Sequence, residues 1–242
     1  MKKLIKSLCI LTAMLIVCTV AFTACNSSAN ASKFDSVKGD TISSEKDWDA
    51  AINNLDAKIA NKNFTMYVSA VETTEYAEAV IDATVKYDDK NMYLKASIKS
   101  KGAVKSEISF EIYSSEDKYY YKDLSDKWQK VDKTSATLSS LLSSYSSEMT
   151  SLMNAGFSVS SFRSFYKNSD GETIEYNSSL KGYYRENKVS DTTYTTYVFK
   201  IKDNLLTAYS TTYEVSGKNA TKQVSSVVYE DFGKTKVSLP NV

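Results

Sequence analysis

From Phe64 to Ile112 the chain alternates apolar and polar residues with a period of two, which constrains its fold more than any other feature. Phe64, Met66, Val68 and Ala70 alternate with Thr65, Tyr67 and Ser69, and Ile81, Ala83, Val85 and Tyr87 with Asp82, Thr84 and Lys86. Met92, Leu94, Ala96 and Ile98 alternate with Tyr93, Lys95, Ser97 and Lys99. Ile108, Phe110 and Ile112 alternate with Glu107, Ser109 and Glu111. Successive side chains of a strand point to opposite faces, so each segment has one apolar and one wet face. Polar turns such as Asp88-Asp89-Lys90-Asn91 separate the segments, and the series describes an antiparallel meander.

The meander is flanked by helical patterns. Trp48, Ala51, Ile52, Leu55 and Ile59 form one apolar stripe of a helix over residues 45 to 62, with Ser44 as N-cap and Glu45 and Asp47 in the first turn. Lys118–Tyr121 and Trp128–Val131 predict a short strand pair. Leu138, Leu141, Leu142, Tyr145, Met149, Leu152 and Met153 then return to helical spacing, and Gly156 caps that helix. Its polar face is mostly serine, a poor helix former, so its stability must come from what the apolar stripe covers. Phe157 to Phe165 adds a short second helix. After the turn Asn168-Ser-Asp-Gly171, strands are expected over 174–180, around Tyr197, Phe199 and Ile201, over 205–215 and over 224–229. With 18 tyrosines and one proline, the chain suits long strands rather than a disordered coat. No repeat or linker divides residues 45 to 242, which read as one domain.

The start of the chain carries a different signal. Lys2, Lys3 and Lys6 precede the apolar run Leu8 to Phe22, followed by Thr23, Ala24 and Cys25. The run is shorter than the roughly 20 residues of a membrane span. Phe22-Thr23-Ala24-Cys25 resembles the lipobox of bacterial lipoproteins, with Phe where Leu is usual. The resemblance implies cleavage after residue 24 and diacylation of the Cys25 thiol. Residues 1–24 are then a lipoprotein signal peptide, and 25–44 a lipidated N-terminus and polar, flexible tether. Residues 26–44 would reach about 65 Å fully stretched and roughly 24 Å as a coil. Removal of the signal takes three lysines and no acid, turning the formal net charge from +1 to −2. It also takes Cys9 and Cys18, so no disulfide is expected in the mature domain.

Two local features carry a second resemblance. The aromatic strand before Trp128-x-x-Val131 and the closing run Tyr229-Glu-Asp-Phe-Gly233 with Leu239-Pro240 are similar to steps in the lipoprotein-carrier folds of the LolA/LolB and LppX/LprG types. That resemblance implies an α+β fold. A strongly curved antiparallel β-sheet, a half-barrel, would have an N-terminal helix and a helical insertion covering its concave face. It also implies a lipid or other hydrophobic ligand between sheet and helices. The residues expected to line that site are Phe110, Leu141, Leu142, Tyr145, Met149, Leu152, Met153, Tyr197 and Phe199.

The absence of histidine removes Ser-His-Asp and Cys-His catalysis and histidine metal sites. Ser-x-x-Lys occurs at Ser43/Lys46, Ser115/Lys118, Ser164/Lys167 and Ser178/Lys181, without the companion motifs of penicillin-recognising enzymes. No acid cluster has calcium-loop spacing, and the balanced charge gives no nucleic-acid footprint. We therefore expect a non-catalytic, monomeric lipoprotein without cofactor or metal, anchored through Cys25 on the extracytoplasmic face of a cell membrane. The Lys-, Asn- and Ser-rich composition suggests a Gram-positive host. The alternative is a surface scaffold whose same apolar residues fill a core. Its sheet face, bearing Tyr67, Tyr93 and Tyr113, would then contact a partner protein or cell-wall polymer.

Overall fold

The computed structural model describes residues 28–102, 105–122, 126–137, 140, 159–217 and 220–242. They form an α+β architecture built on one open, 11-stranded antiparallel sheet in the order β6-β5-β4-β3-β2-β1-β11-β10-β9-β8-β7. The first meander comprises β1 (Asn63–Thr74), β2 (Glu78–Asp88), β3 (Met92–Lys101), β4 (Ser106–Ser114), β5 (Lys118–Lys122) and β6 (Trp128–Asp132). The second comprises β7 (Glu175–Asn177), β8 (Gly182–Ser190), β9 (Thr193–Lys202), β10 (Leu205–Val215) and β11 (Thr221–Glu230). The two are joined where β1 pairs with β11, from Thr65↔Glu230 to Thr74↔Thr221.

The alternation in the sequence sets the register. Ile81 faces Ile98, Ala83 faces Ala96 and Val85 faces Leu94 on one face, while Glu78 faces Lys101 on the other. Helix α2 (Glu45–Ala60) lies on the apolar face over β10 and β1. The Ser44 hydroxyl accepts a hydrogen bond from the Asp47 amide at 3.2 Å. Trp48, Ala51, Ile52 and Leu55 are fully buried. Burial of each of the three large side chains contributes about 1.5–3 kcal/mol. A 3-10 segment, Ser160–Phe165, packs beside α2.

Two elements depart from the sequence-based expectation. Strand β8 falls in a stretch to which the sequence pattern assigned no element, and only Glu175–Asn177 of the strand expected over 174–180 is extended. Residues 28–44 are not a free tether. Ala29–Ser36 is a helix, α1, on the opposite, outer face of the sheet. Phe34 packs there on Val198, Ala208 and Val228, with Val37 and Tyr67 alongside. The sheet beneath offers small residues, Ser69, Ser210 and Ser226, all buried. A polar helix with one large apolar side chain can therefore sit close. The chain then crosses to the core face past Gly39, whose amide donates to the Lys181 carbonyl at 2.8 Å. A Cβ on Gly39 would stand 3.0 Å from that oxygen.

Candidate functional site

Of the residues expected to line a ligand site, Phe110, Tyr197 and Phe199 lie within the described structure. Leu141, Leu142, Tyr145, Met149, Leu152 and Met153 lie outside the described residues, as does Cys25. Phe110, on β4, and Tyr197 and Phe199, on β9, do share the core face. They are six strand steps apart in the sheet, however, or about 29 Å along a flat sheet.

Around β9 the core face is filled with rings. Phe199 is fully buried, with its centroid 5.2 Å from Trp48, 5.0 Å from Phe162 and 5.4 Å from Phe165, all edge-on. Tyr197 meets Phe165 edge-on at 4.5 Å, and Tyr209 meets Phe162 at 4.7 Å. Burial drives the phenols of Tyr209 and Tyr229 well above the ordinary tyrosine value, so both stay neutral members of the core. Edge-to-face ring contacts add about 0.5–1.5 kcal/mol each beyond area burial. This half of the face is therefore structural packing.

The other half differs. Phe110 itself is buried, but Ile108 is 43% exposed, and Ile81, Ile98, Tyr119 and Tyr121 are half-buried on the same face of β2–β5. The Asp88 end of this half is sealed by Phe64, whose ring stands 5.3 Å from Tyr87 and 6.4 Å from Phe232. Burial raises the Tyr87 phenol to about 12. Phe232 belongs to the closing run after β11, where Asp231 and Gly233 both take positive φ, 56° and 71°. There the Gly233 amide donates to the Asn63 carbonyl at 2.9 Å.

On the outer face Tyr93 meets Tyr113 at 4.8 Å, and Tyr113 meets Trp128 at 5.3 Å. Lys86 sits over Tyr93 and Lys122 over Trp128. The Tyr93 hydroxyl donates to Glu111 at 3.1 Å, and burial beside that carboxylate raises its pKa. Charged rungs continue the face, with Lys95 at 3.4 Å from Glu111 and Lys99 at 3.0 Å from Glu107. Tyr67, grouped with these tyrosines from sequence, is instead covered by α1, with Lys33 Nζ 3.8 Å above its ring. A shallow groove of about 390 Å³ opens beside Ser28 over β2 and β3, with Asp82 and Thr84 on one wall and Lys95 and Lys99 on the other.

Sequence reasoning missed two residues here. Trp128 completes the aromatic row because β6 turns it to the same face as Tyr113. Lys200 reads as a wet-face residue of β9, yet it is buried beneath α1. Its ammonium donates to the Phe34 carbonyl at 2.5 Å and lies 4.0 Å over the Phe34 ring. Burial lowers its pKa to about 8. Among the Ser-x-x-Lys pairs, the Ser115 hydroxyl contacts Asp117 within its own turn and Lys167 pairs with Glu45 at 2.9 Å.

No family model and no curated protein matches the chain. Among solved structures it is similar to the S-type phycobiliprotein lyase CPES from Guillardia theta, at 6% identity and a TM-score of 0.24, over 82% of this chain and 100% of that one. It is also similar to a porin-like protein from Bacteroides uniformis, at 10% identity and a TM-score of 0.25, over 68% of this chain and 95% of that one. Overlaps this loose establish no shared fold.

Proposed function

We propose that the chain is a non-catalytic lipoprotein, anchored by acylated Cys25 to the extracytoplasmic face of a membrane, that holds an apolar ligand against the core face of β2–β5. In this reading the sheet curves as a half-barrel, as in the LolA/LppX-type carriers. The segment bearing Leu141, Leu142, Tyr145, Met149, Leu152 and Met153 covers the ligand from the other side.

The observation that carries the reading is the division of the core face. Trp48, Phe162 and Phe165 join Phe199 in ring-on-ring contacts over the β9–β10 half, whereas over β2–β5 Ile108 is 43% exposed and Ile81, Ile98 and Tyr121 beside it are half-buried. Contact with an acyl chain at roughly 25 cal/mol per Å² favours a lipid there. Phe110 is the one described member of the expected set on that half, and Tyr197 and Phe199 belong to the ring packing of the far half rather than to the ligand contacts.

Native mass spectrometry of the Cys25→Ala protein tests this reading. A co-purifying lipid adduct that Ile98→Glu abolishes and Tyr197→Phe retains is the expected result. Adduct-free protein that takes up no added fatty acid or phospholipid contradicts it. The scaffold reading is favoured by one observation, the Tyr93–Tyr113–Trp128 row on the outer face. It would then be supported by a pull-down that loses its partner on Tyr93→Ala.

A further inference from the structure

The path of the chain just after Cys25 fixes more than an address. Ser28 is 3% exposed. Its hydroxyl accepts from the Ala31 amide at 3.0 Å, lies 2.6 Å from the Ser69 hydroxyl and donates to Asp82. Two residues on, the Asn30 amide group donates to the Val68 carbonyl at 3.0 Å and the Ala83 carbonyl at 2.9 Å. The chain is thus pinned to the outer face of β1 and β2, three residues after Cys25. Three Cα steps span at most about 11 Å, less than half the coil length of the tether expected from sequence.

We infer that the outer face of β2–β6 rests on the bilayer surface, with Tyr93, Tyr113 and Trp128 at headgroup level. The inference rests on the acylation of Cys25 in the reading above. Acyl chains on Cys25 hold that residue at the edge of the hydrocarbon, and the headgroup layer of one leaflet is only about 5–8 Å deep. An 11 Å link therefore brings the Ser28 face of the sheet against the headgroups and turns α2 and the core face away.

The chemistry of the face fits that occupant. Tyr and Trp favour the interface because each has an apolar ring and a polar tip. Lysine stems lie along apolar surface while their ammonium groups reach polar surroundings. The side chains of Lys95 and Lys99 are 60% and 52% exposed, and each is balanced by a glutamate on the neighbouring strand. The face therefore meets anionic and zwitterionic lipids alike without net repulsion.

The test uses the lipidated full chain, in which acylated Cys25 leaves an introduced cysteine free for labelling. Ser97→Cys and Ser109→Cys place a fluorophore on the outer face, and Asn53→Cys places one on the exposed side of α2. The proteins are reconstituted in phosphatidylcholine–phosphatidylglycerol vesicles containing headgroup-spin-labelled lipid. Quenching several-fold stronger at 97 and 109 than at 53 is the expected result. Equal quenching at all three, or stronger quenching at 53, overturns the inference while leaving the anchor intact. A label at 97 as open to aqueous iodide as that at 53 also overturns it, and leaves the face to a macromolecular partner. Protein that lacks acyl mass and fails to float with the vesicles overturns the anchor and this inference together.

Discussion

The indole nitrogen of Trp48 donates to the carbonyl oxygen of Phe162 at 2.9 Å, linking the first turn of α2 to the 3-10 segment 114 residues later. The same indole stands edge-on to Phe199 and Tyr183, so one side chain joins a helix, a 3-10 segment and two strands. Trp48→Ala should destabilise the domain by about 3–5 kcal/mol. Trp48→Phe should cost less, because it keeps most of the ring volume and loses mainly the hydrogen bond, worth about 0.5–1.5 kcal/mol. Urea unfolding followed by circular dichroism gives both values.

Gly182 is required by a close approach, not by its backbone angle. A Cβ there would lie 2.6 Å from the Phe199 carbonyl oxygen across the β8–β9 pair. Gly182→Ala should lower stability by about 1–3 kcal/mol, the usual range for overpacking. Gly171 has the opposite constraint: a Cβ there would have nothing within 4 Å, but its φ of +84° means that Gly171→Ser should cost about 1–2 kcal/mol through backbone strain alone. Thermal melts of the two variants make the comparison.

Lys200 makes stability depend on pH in the alkaline range. Its pKa falls from 10.5 to about 8 on folding. Between those values the unfolded chain binds the extra proton, so stability should rise as pH increases from about 8 to 10.5 and be flat below. The span corresponds to on the order of 3 kcal/mol. Lys200→Met should remove that rise, which denaturant midpoints measured across the same pH range will show.

Asp82 accepts from Ser28 and lies 3.4 Å from the Asn30 amide, so it holds the start of α1. Asp82→Ala should speed hydrogen exchange in α1 by about fivefold to tenfold, the effect of losing roughly 1 kcal/mol at a capped terminus. Amides of β10 and β11 should keep their protection. Unchanged exchange in α1 would show that Phe34 packing and the Asn30 hydrogen bonds secure the helix without Asp82.

The core-facing alternation made β1–β4 legible, because each apolar residue from Phe64 to Ile112 with that parity does face inward. Helix α2 was legible for the same reason, and its Ser44 cap sits where the sequence put it. The β5–β6 pair was readable too, but the face of Trp128 depends on hairpin register. Strand β8 was missed because only Tyr183 of its inward residues is apolar, and Arg185 takes the next inward place. Helix α1 was missed because its partner surface is the nominally wet face of the sheet. No local pattern in Ala29–Ser36 announces that Val198, Ala208 and Val228 wait beneath Phe34. The divided core face was hidden for a further reason: Phe110 and Phe199 look equivalent in sequence, and only strand order separates them.

An apolar ligand bound over β2–β5 and not over β9 would touch a distinct set of isoleucines. Isoleucine-methyl NMR of the Cys25→Ala protein, titrated with a lysophospholipid below its micelle concentration, tests this placement most directly. Shifts are expected at Ile81, Ile98 and Ile108, with Ile52 and Ile201 in the packed half unmoved. Silent methyls throughout, or shifts centred on Ile52 and Ile201, would contradict it.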